Sequence, residues 1–301
     1  MIEGEIKKLK EKANAVILAH NYQPPEIQDL ADFTGDSLGL SRKAARTGAE
    51  IIVFCGVRFM AETAKILSSQ KTVLLPERGA GCPMADMITA KQLKELKKQH
   101  PQAIVVCYVN SIAEVKAESD YCCTSSNAVE IVNSLPKEKE IIFVPDIHLG
   151  RHTRKQTGRK LIFAQGYCPS HINITVDDIK KAKAENPDAV VLTHPECDEP
   201  VKALSDKLLS TGGMLNFIEK SDADTFIIAT EPGIIYPMRR KRPDAKFIPA
   251  SEKAICPDMK KISLEKLLDS LKNMQYRIEI PQEISEKAKV SLDRMVEILP
   301  K

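Results

Sequence analysis

Short apolar, β-branched runs recur along the chain at a fixed spacing, each followed by polar turn residues and then by a pattern of helical period. Ala15-Val-Ile-Leu-Ala-His20 returns as Ala103-Ile-Val-Val-Cys-Tyr108 and again as Ala189-Val-Val-Leu-Thr-His194, a repeat of roughly 87 residues. Each run follows a Lys-rich helical stretch and reads as a buried strand. Downstream, Asp32 to Ser37, Asp120 to Ser125 and Asp206 to Thr211 align, placing a hydroxyl residue five positions after an Asp in every copy. A third run appears at Ile51 to Cys55, Ile141 to Val144 and Phe226 to Thr230, and a fourth at Val73 to Leu75, Leu161 to Phe163 and Lys246 to Ile248. Every copy closes on Cys-Pro, at Cys82, Cys168 and Cys256.

Four apolar strands alternating with helices predict an α/β unit, an open four-stranded parallel sheet with helices on both faces, because a parallel crossover needs a dozen or more residues. The expected organisation is therefore three repeats, 1–82, 83–168 and 169–257. The tail 258–301 carries two helical patterns, Leu264 to Met274 and Glu283 to Leu299, expected to pack with the N-terminal helix on the first repeat. Three units overrule the prior of about two domains that 301 residues would suggest.

Composition narrows the function. With 44 Lys+Arg against 41 Asp+Glu the net charge is only +3, too small for a dedicated binder of nucleic acid or anionic membrane. No run of about 18 apolar residues occurs and the N-terminus is charged and amphipathic, so neither a membrane span nor a signal peptide is expected. The expected compartment is the cytoplasm, where the eight cysteines stay reduced and clustered thiols bind metal or do chemistry.

Ligands of open parallel sheets bind beyond the carboxyl ends of the strands. After the first strands stand His20 and Tyr22, Tyr108 and Asn110, and His194 and Glu196, positions where ordinary turns would favour Gly, Pro, Asn, Asp or Ser. After the second strands stand Ser37, Ser125 and Ser210-Thr211, each at a predicted helix start; such hydroxyls either cap the helix or, with its free N–H groups, bind an anion. If the repeats pack about a pseudo-threefold axis with strand ends inward, Cys82, Cys168 and Cys256 converge on one point. The other five cysteines lack that equivalence, and no Cys-x-x-Cys spacing occurs. Three thiolates from distant segments suit a zinc ion, or a 4Fe–4S cluster with one iron left unligated by protein, and an open metal position is a Lewis acid or a water activator.

The sequence closely resembles the quinolinate synthase (quinolinate synthetase A) family. The resemblance rests on Leu18-Ala-His-Asn-Tyr-Gln23, Gly35-Asp-Ser-Leu38, Phe59-Met-Ala-Glu62, Cys82-Pro-Met-Ala85, Tyr108-Val-Asn-Ser111, Thr124-Ser125 with Asn127-Ala128, Gly166 with Cys168-Pro and His171, His194-Pro-Glu-Cys197, Ser210-Thr-Gly212 and Met259-Lys-Lys261. These stretches cover nearly the whole chain in order. The resemblance implies three similar α/β domains around a central cavity, and a 4Fe–4S cluster on Cys82, Cys168 and Cys256. It implies a transferase that condenses iminoaspartate with dihydroxyacetone phosphate to quinolinate, phosphate and water for NAD synthesis, with iminoaspartate supplied by L-aspartate oxidase or aspartate dehydrogenase. By the same resemblance His20, Tyr22, Tyr108, Asn110, His194 and Glu196 line the cavity, with Glu196 the general acid/base and Tyr22 assisting dehydration. Ser37, Ser125, Ser210 and Thr211 hold substrate carboxylates and phosphate, and His171 is a further substrate contact.

Some members carry a C-terminal Cys-x-x-Cys-x-x-Cys arrangement; Cys256-Pro-Asp-Met259 offers one thiol. Pro232 stands where an ordinary residue is expected and Asp258 where Asn is usual. Two other functions compete: a zinc-dependent hydrolase using the same thiolates with Glu196 as base, and a non-catalytic module binding a phosphorylated anion at Ser37, Ser125 and Thr211.

Overall fold

The computed structural model describes residues 2–298; Met1 and residues 299–301, including Leu299 at the end of the predicted last helix, lie outside the described residues. The twelve described strands form three four-stranded sheets. The first holds β1 (Ala15–His20), β2 (Phe33–Gly35), β3 (Ile51–Cys55) and β4 (Thr72–Leu74). The second holds β5 (Ile104–Tyr108), β6 (Tyr121–Cys123), β7 (Ile141–Val144) and β8 (Leu161–Phe163). The third holds β9 (Val190–Thr193), β10 (Lys207–Leu208), β11 (Thr225–Ala229) and β12 (Lys246–Pro249). All pairings are parallel and the strand order is the same each time, with the second strand on one side of the first and the third and fourth on the other. Chain direction across the sheet therefore reverses beside the first strand, where open α/β sheets form their ligand crevice.

The repeat extends to single hydrogen bonds. Asp32 Oδ2 accepts from Ile17 N, Asp120 Oδ2 from Val105 N and Asp206 Oδ2 from Val191 N, each at 2.8 Å. The backbone N–H of the same three aspartates returns to the carbonyls of Ile17, Val105 and Val191. The carboxylate thus supplies the acceptor that the short second strand cannot reach, and it satisfies a buried strand N–H that would otherwise be costly. One apolar core runs through all three sheets, from Leu18 and Phe54 through Val105 and Phe143 to Phe226 and Ile228.

Two local expectations need correction. Ser37 and Thr211 do open helices (Ser37–Arg46 and Thr211–Lys220), with Asp36 and Ser210 as caps, but Ser125 lies in a turn ahead of the helix Ala128–Ser134. Asn127 causes this: its Oδ1 accepts from Thr124 N at 2.9 Å, while its Nδ2 donates to the carbonyls of Met295 and Ile298. The C-terminal segment also divides. The helix Leu264–Asn273 lies on the N-terminal helix Ile2–Lys12. The last helix, Gln282–Glu297, packs on the helix Arg58–Leu67 of the first repeat and, beyond that expectation, against β6 and the helix Ala113–Ala117 of the second. Its buried Ala288, Leu292 and Met295 form the contact. Between those helices the chain adds to the edge of β4, with Leu75 and Tyr276 exchanging backbone hydrogen bonds. No described helix is long and apolar enough to cross a membrane.

Candidate functional site

A cavity of about 120 Å³ is lined by residues that follow strands of all three sheets. His20, Tyr22, Ser37, Tyr108, Asn110, Ser125, His171, His194, Glu196, Thr211 and the thiol-bearing Cys82, Cys168 and Cys256 all face it. Ser210 does not. Its hydroxyl accepts from Gly213 N at 3.1 Å and meets Ser126 Oγ at 2.8 Å, and Ser126 in turn donates to Asp36 Oδ2 at 2.6 Å.

The first and third repeats place a histidine in the same way. His20 Nδ1 accepts from Tyr22 N at 3.2 Å, and His194 Nδ1 accepts from Glu196 N at 3.3 Å. Each ring therefore carries its proton on Nε2, and His194 offers that proton to Ser125 Oγ at 3.2 Å. Burial pushes both rings down to about 3, against the pull of Glu196. They are neutral donors at neutral pH, so the 3.7 Å approach of His194 Nδ1 to Glu196 is no ion pair.

Glu196 is almost fully buried and bonded on both oxygens. Oε1 accepts from the Tyr108 hydroxyl at 2.6 Å and lies 3.4 Å from Asn110 Nδ2; Oε2 lies 2.7 Å from His171 Nδ1. Burial raises its carboxyl, but the neighbouring His171 and the hydrogen bonds donated by His171 and Tyr108 outweigh burial and hold it below the ordinary carboxylate range. Because a carboxylate only accepts, His171 turns Nδ1–H to Glu196, which leaves Nε2 for another partner. Thr230 Oγ1 sits 2.7 Å from that Nε2 and 2.5 Å from the Tyr22 hydroxyl. These contacts run in one line from Tyr22 through Thr230 and His171 to Glu196. Burial and the Glu196 charge hold the phenols of Tyr22 and Tyr108 well above their ordinary range.

Thr230, Glu231, Asp36 and Ser126 face the cavity or these groups and are absent from the sequence-based site. Thr230 and Glu231 follow β11, and the ends of the third strands went unread although the crevice rule applies to them equally.

Three of the eight cysteines are only half-buried, and they are Cys82, Cys168 and Cys256; the other five are buried. Burial pushes all three thiols up, so they ionise only with a cation beside them. Partly exposed thiols from three segments around one cavity fit the donor set of a thiolate-held metal group. Cys168 Sγ, His171 and Glu196 also offer ligand atoms within 4.8 Å of one another, a spacing suited to a metal ion.

A family model described as quinolinate synthetase A protein matches residues 4–297. The chain belongs to the quinolinate synthetase A family. Similar family members include proteins named quinolinate synthase from Geobacter metallireducens, 54% identical over 99% of this chain and 97% of the relative, and from Dehalococcoides mccartyi, 53% identical over 99% of both. The protein named quinolinate synthase 2 from Methanosarcina acetivorans is 51% identical over 99% of this chain and 96% of its own length. Pro232 opens a short 3₁₀ turn, Pro232–Ile234, where its missing N–H costs nothing, and Asp258 pairs with Lys261 at 2.6 Å.

Proposed function

We propose that the chain condenses iminoaspartate with dihydroxyacetone phosphate to quinolinate, releasing phosphate and water, in the synthesis of NAD. The observation that carries this reading is the coincidence of three half-exposed thiols and the Tyr22 to Glu196 hydrogen-bond chain at one cavity. Cys82, Cys168 and Cys256 would hold a 4Fe–4S cluster. When bound, the cluster supplies an iron with an open position, a Lewis acid for loss of hydroxyl from carbon.

The residues do the rest. Ser37 and Thr211 at helix starts, with Ser125, receive the carboxylates and phosphate, because free N–H groups and the helix dipole favour anions there. His20 and His194, neutral with the proton on Nε2, donate to substrate oxygens without an added charge, His194 giving up its Ser125 partner to do so. Asn110 Oδ1 is buried with no partner among the described residues and is an acceptor at the same wall. Tyr22 passes its proton through Thr230 to His171 and takes it back, while Glu196 stabilises the imidazolium that forms. Glu196 thus serves as base through His171; its ionised state and two occupied oxygens disfavour it as the direct acid. Tyr108 and Asn110 hold Glu196 in place.

In this reading the repeats 1–82, 83–168 and 169–257 stand about a pseudo-threefold axis around the cavity, with 258–301 joining them. The protein works in the cytoplasm, and L-aspartate oxidase or aspartate dehydrogenase provides iminoaspartate. Anaerobically reconstituted protein should bind about four iron and four sulfide, and Cys82→Ala, Cys168→Ala and Cys256→Ala should each lose them. Full retention in any of the three would remove that cysteine from the ligand set. The close approach of Cys168, His171 and Glu196 favours a second reading, a zinc-dependent hydrolase. One zinc and no iron in strictly anaerobic material would select it.

A further inference from the structure

Glu231 directly follows Thr230 and is buried to 1% exposure, yet it stands outside the Tyr22 to Glu196 chain. Its Oε2 accepts from Gly233 N at 2.8 Å and its Oε1 lies 2.8 Å from Lys260 Nζ, on the 3₁₀ turn Met259–Lys261 that follows Cys256. Lys260 Nζ reaches further and donates to the carbonyl oxygen of Tyr22. One ion pair, its carboxylate buried and its ammonium partly exposed, therefore touches the loop after β1 that carries Tyr22, the loop after β11 that carries Thr230, and the turn after β12 that carries the third thiol. A second tie runs beside it, from Gln23 Nε2 to the Met259 carbonyl at 2.8 Å. The junction leaves no room at Gly233, where a Cβ would lie 2.7 Å from both Glu231 Oε2 and Lys260 Nζ and 2.9 Å from the Tyr22 carbonyl.

We propose that Glu231 and Lys260 are positioning residues that hold the Cys256 turn and the Tyr22 loop in one register, so that loading of the thiol site and placement of the Tyr22 phenol are set together. The proposal rests on the synthase reading for its consequence in turnover, but the tie itself is a property of the metal-free chain. A ligand loop is held by its outer partners, and losing such a partner typically costs about 10–100-fold in metal affinity. Removing the lysine also strands the buried carboxylate, so Lys260→Met should do more damage than the double change Lys260→Met with Glu231→Gln.

The test uses the full chain in two forms. In the metal-free chain, alkylation of each cysteine by iodoacetamide is followed by mass spectrometry. In the reconstituted chain, iron release to a chelator is timed. Lys260→Met should speed alkylation of Cys256 by about tenfold with Cys82 changed by less than about twofold, and should speed iron release by about tenfold or more. Glu231→Gln, which keeps shape and an acceptor oxygen, should show the same selectivity at smaller size, and Lys260→Arg should stay nearer the parent. Unchanged Cys256 reactivity in both Lys260→Met and Glu231→Gln would overturn the proposal. So would equal acceleration at Cys82, Cys168 and Cys256, which marks general loosening. Failure of the parent chain to take up a cluster would sink the synthase reading alone, since the alkylation arm still decides the tie.

Discussion

Replacing Thr230 with Val keeps the shape of the side chain and removes one hydroxyl, which bridges the Tyr22 phenol at 2.5 Å and His171 Nε2 at 2.7 Å. Both partners are buried, Tyr22 to 8% exposure and His171 to 2%. Each loses a hydrogen bond that no water-filled surface replaces, at about 1–3 kcal/mol apiece. A domain with about 5–15 kcal/mol of stability still folds after that loss, so the variant is measurable. The larger effect is on chemistry. With the bridge cut, Tyr22 has no route for its proton to His171, and a positioned acid/base group contributes about 10²–10⁴-fold in rate. The assay is quinolinate formation by the anaerobically loaded protein at varied substrate, with thermal unfolding of the same preparations. Thr230→Val should lower kcat by about 10²-fold or more with KM little changed, and Thr230→Ser, which restores the hydroxyl, should recover most of it. A Thr230→Val protein that turns over within about twofold of the parent would refute the relay.

Three further outcomes follow from the same geometry. Asp32→Ala, Asp120→Ala and Asp206→Ala each leave a buried strand N–H without its 2.8 Å acceptor, and each should cost about 1–3 kcal/mol in urea unfolding; a neutral result at any one would contradict the shared role. His20 and His194 are neutral in the fold at about 3 against 6.5 in the unfolded chain, so their stabilisation is complete above the unfolded value and is lost as pH falls toward the folded one. Going from pH 8 to pH 5, the metal-free chain should lose about 2 kcal/mol per ring, reduced by about that amount in His20→Gln or His194→Gln; a stability flat over this range would contradict the neutral-ring account. Alanine at Cys55, Cys107, Cys122, Cys123 or Cys197 should leave iron uptake intact, because these thiols are buried away from the cavity; loss of iron in one of them with the fold preserved would reassign a ligand.

The sheets were legible because strands covered on both faces must be apolar throughout, and such runs returning at a constant spacing mark the same buried strand in each repeat. The repeat-equivalent cysteines and the residues after the first strands were legible for a related reason, since topology puts strand ends together. Thr230 was not, because a threonine closing an apolar β-branched run reads as one more strand residue. Asp32, Asp120 and Asp206 served as markers of the repeat, while their bond back to the first strand exists only once the sheet is formed. The displaced start of the helix after Ser125 follows from Asn127 reaching the last helix, a contact with no local trace. The seating of Gln282–Glu297 on the second repeat was hidden for the same cause: an amphipathic stripe shows that a helix is covered, not what covers it.

The most direct test of the central claim is product formation by protein reconstituted and assayed without oxygen, supplied with iminoaspartate and dihydroxyacetone phosphate. The account predicts quinolinate and inorganic phosphate released in equal amounts, dependent on the bound cluster and lost in Cys168→Ala. Protein that carries a full cluster and binds both compounds but yields no quinolinate would contradict it.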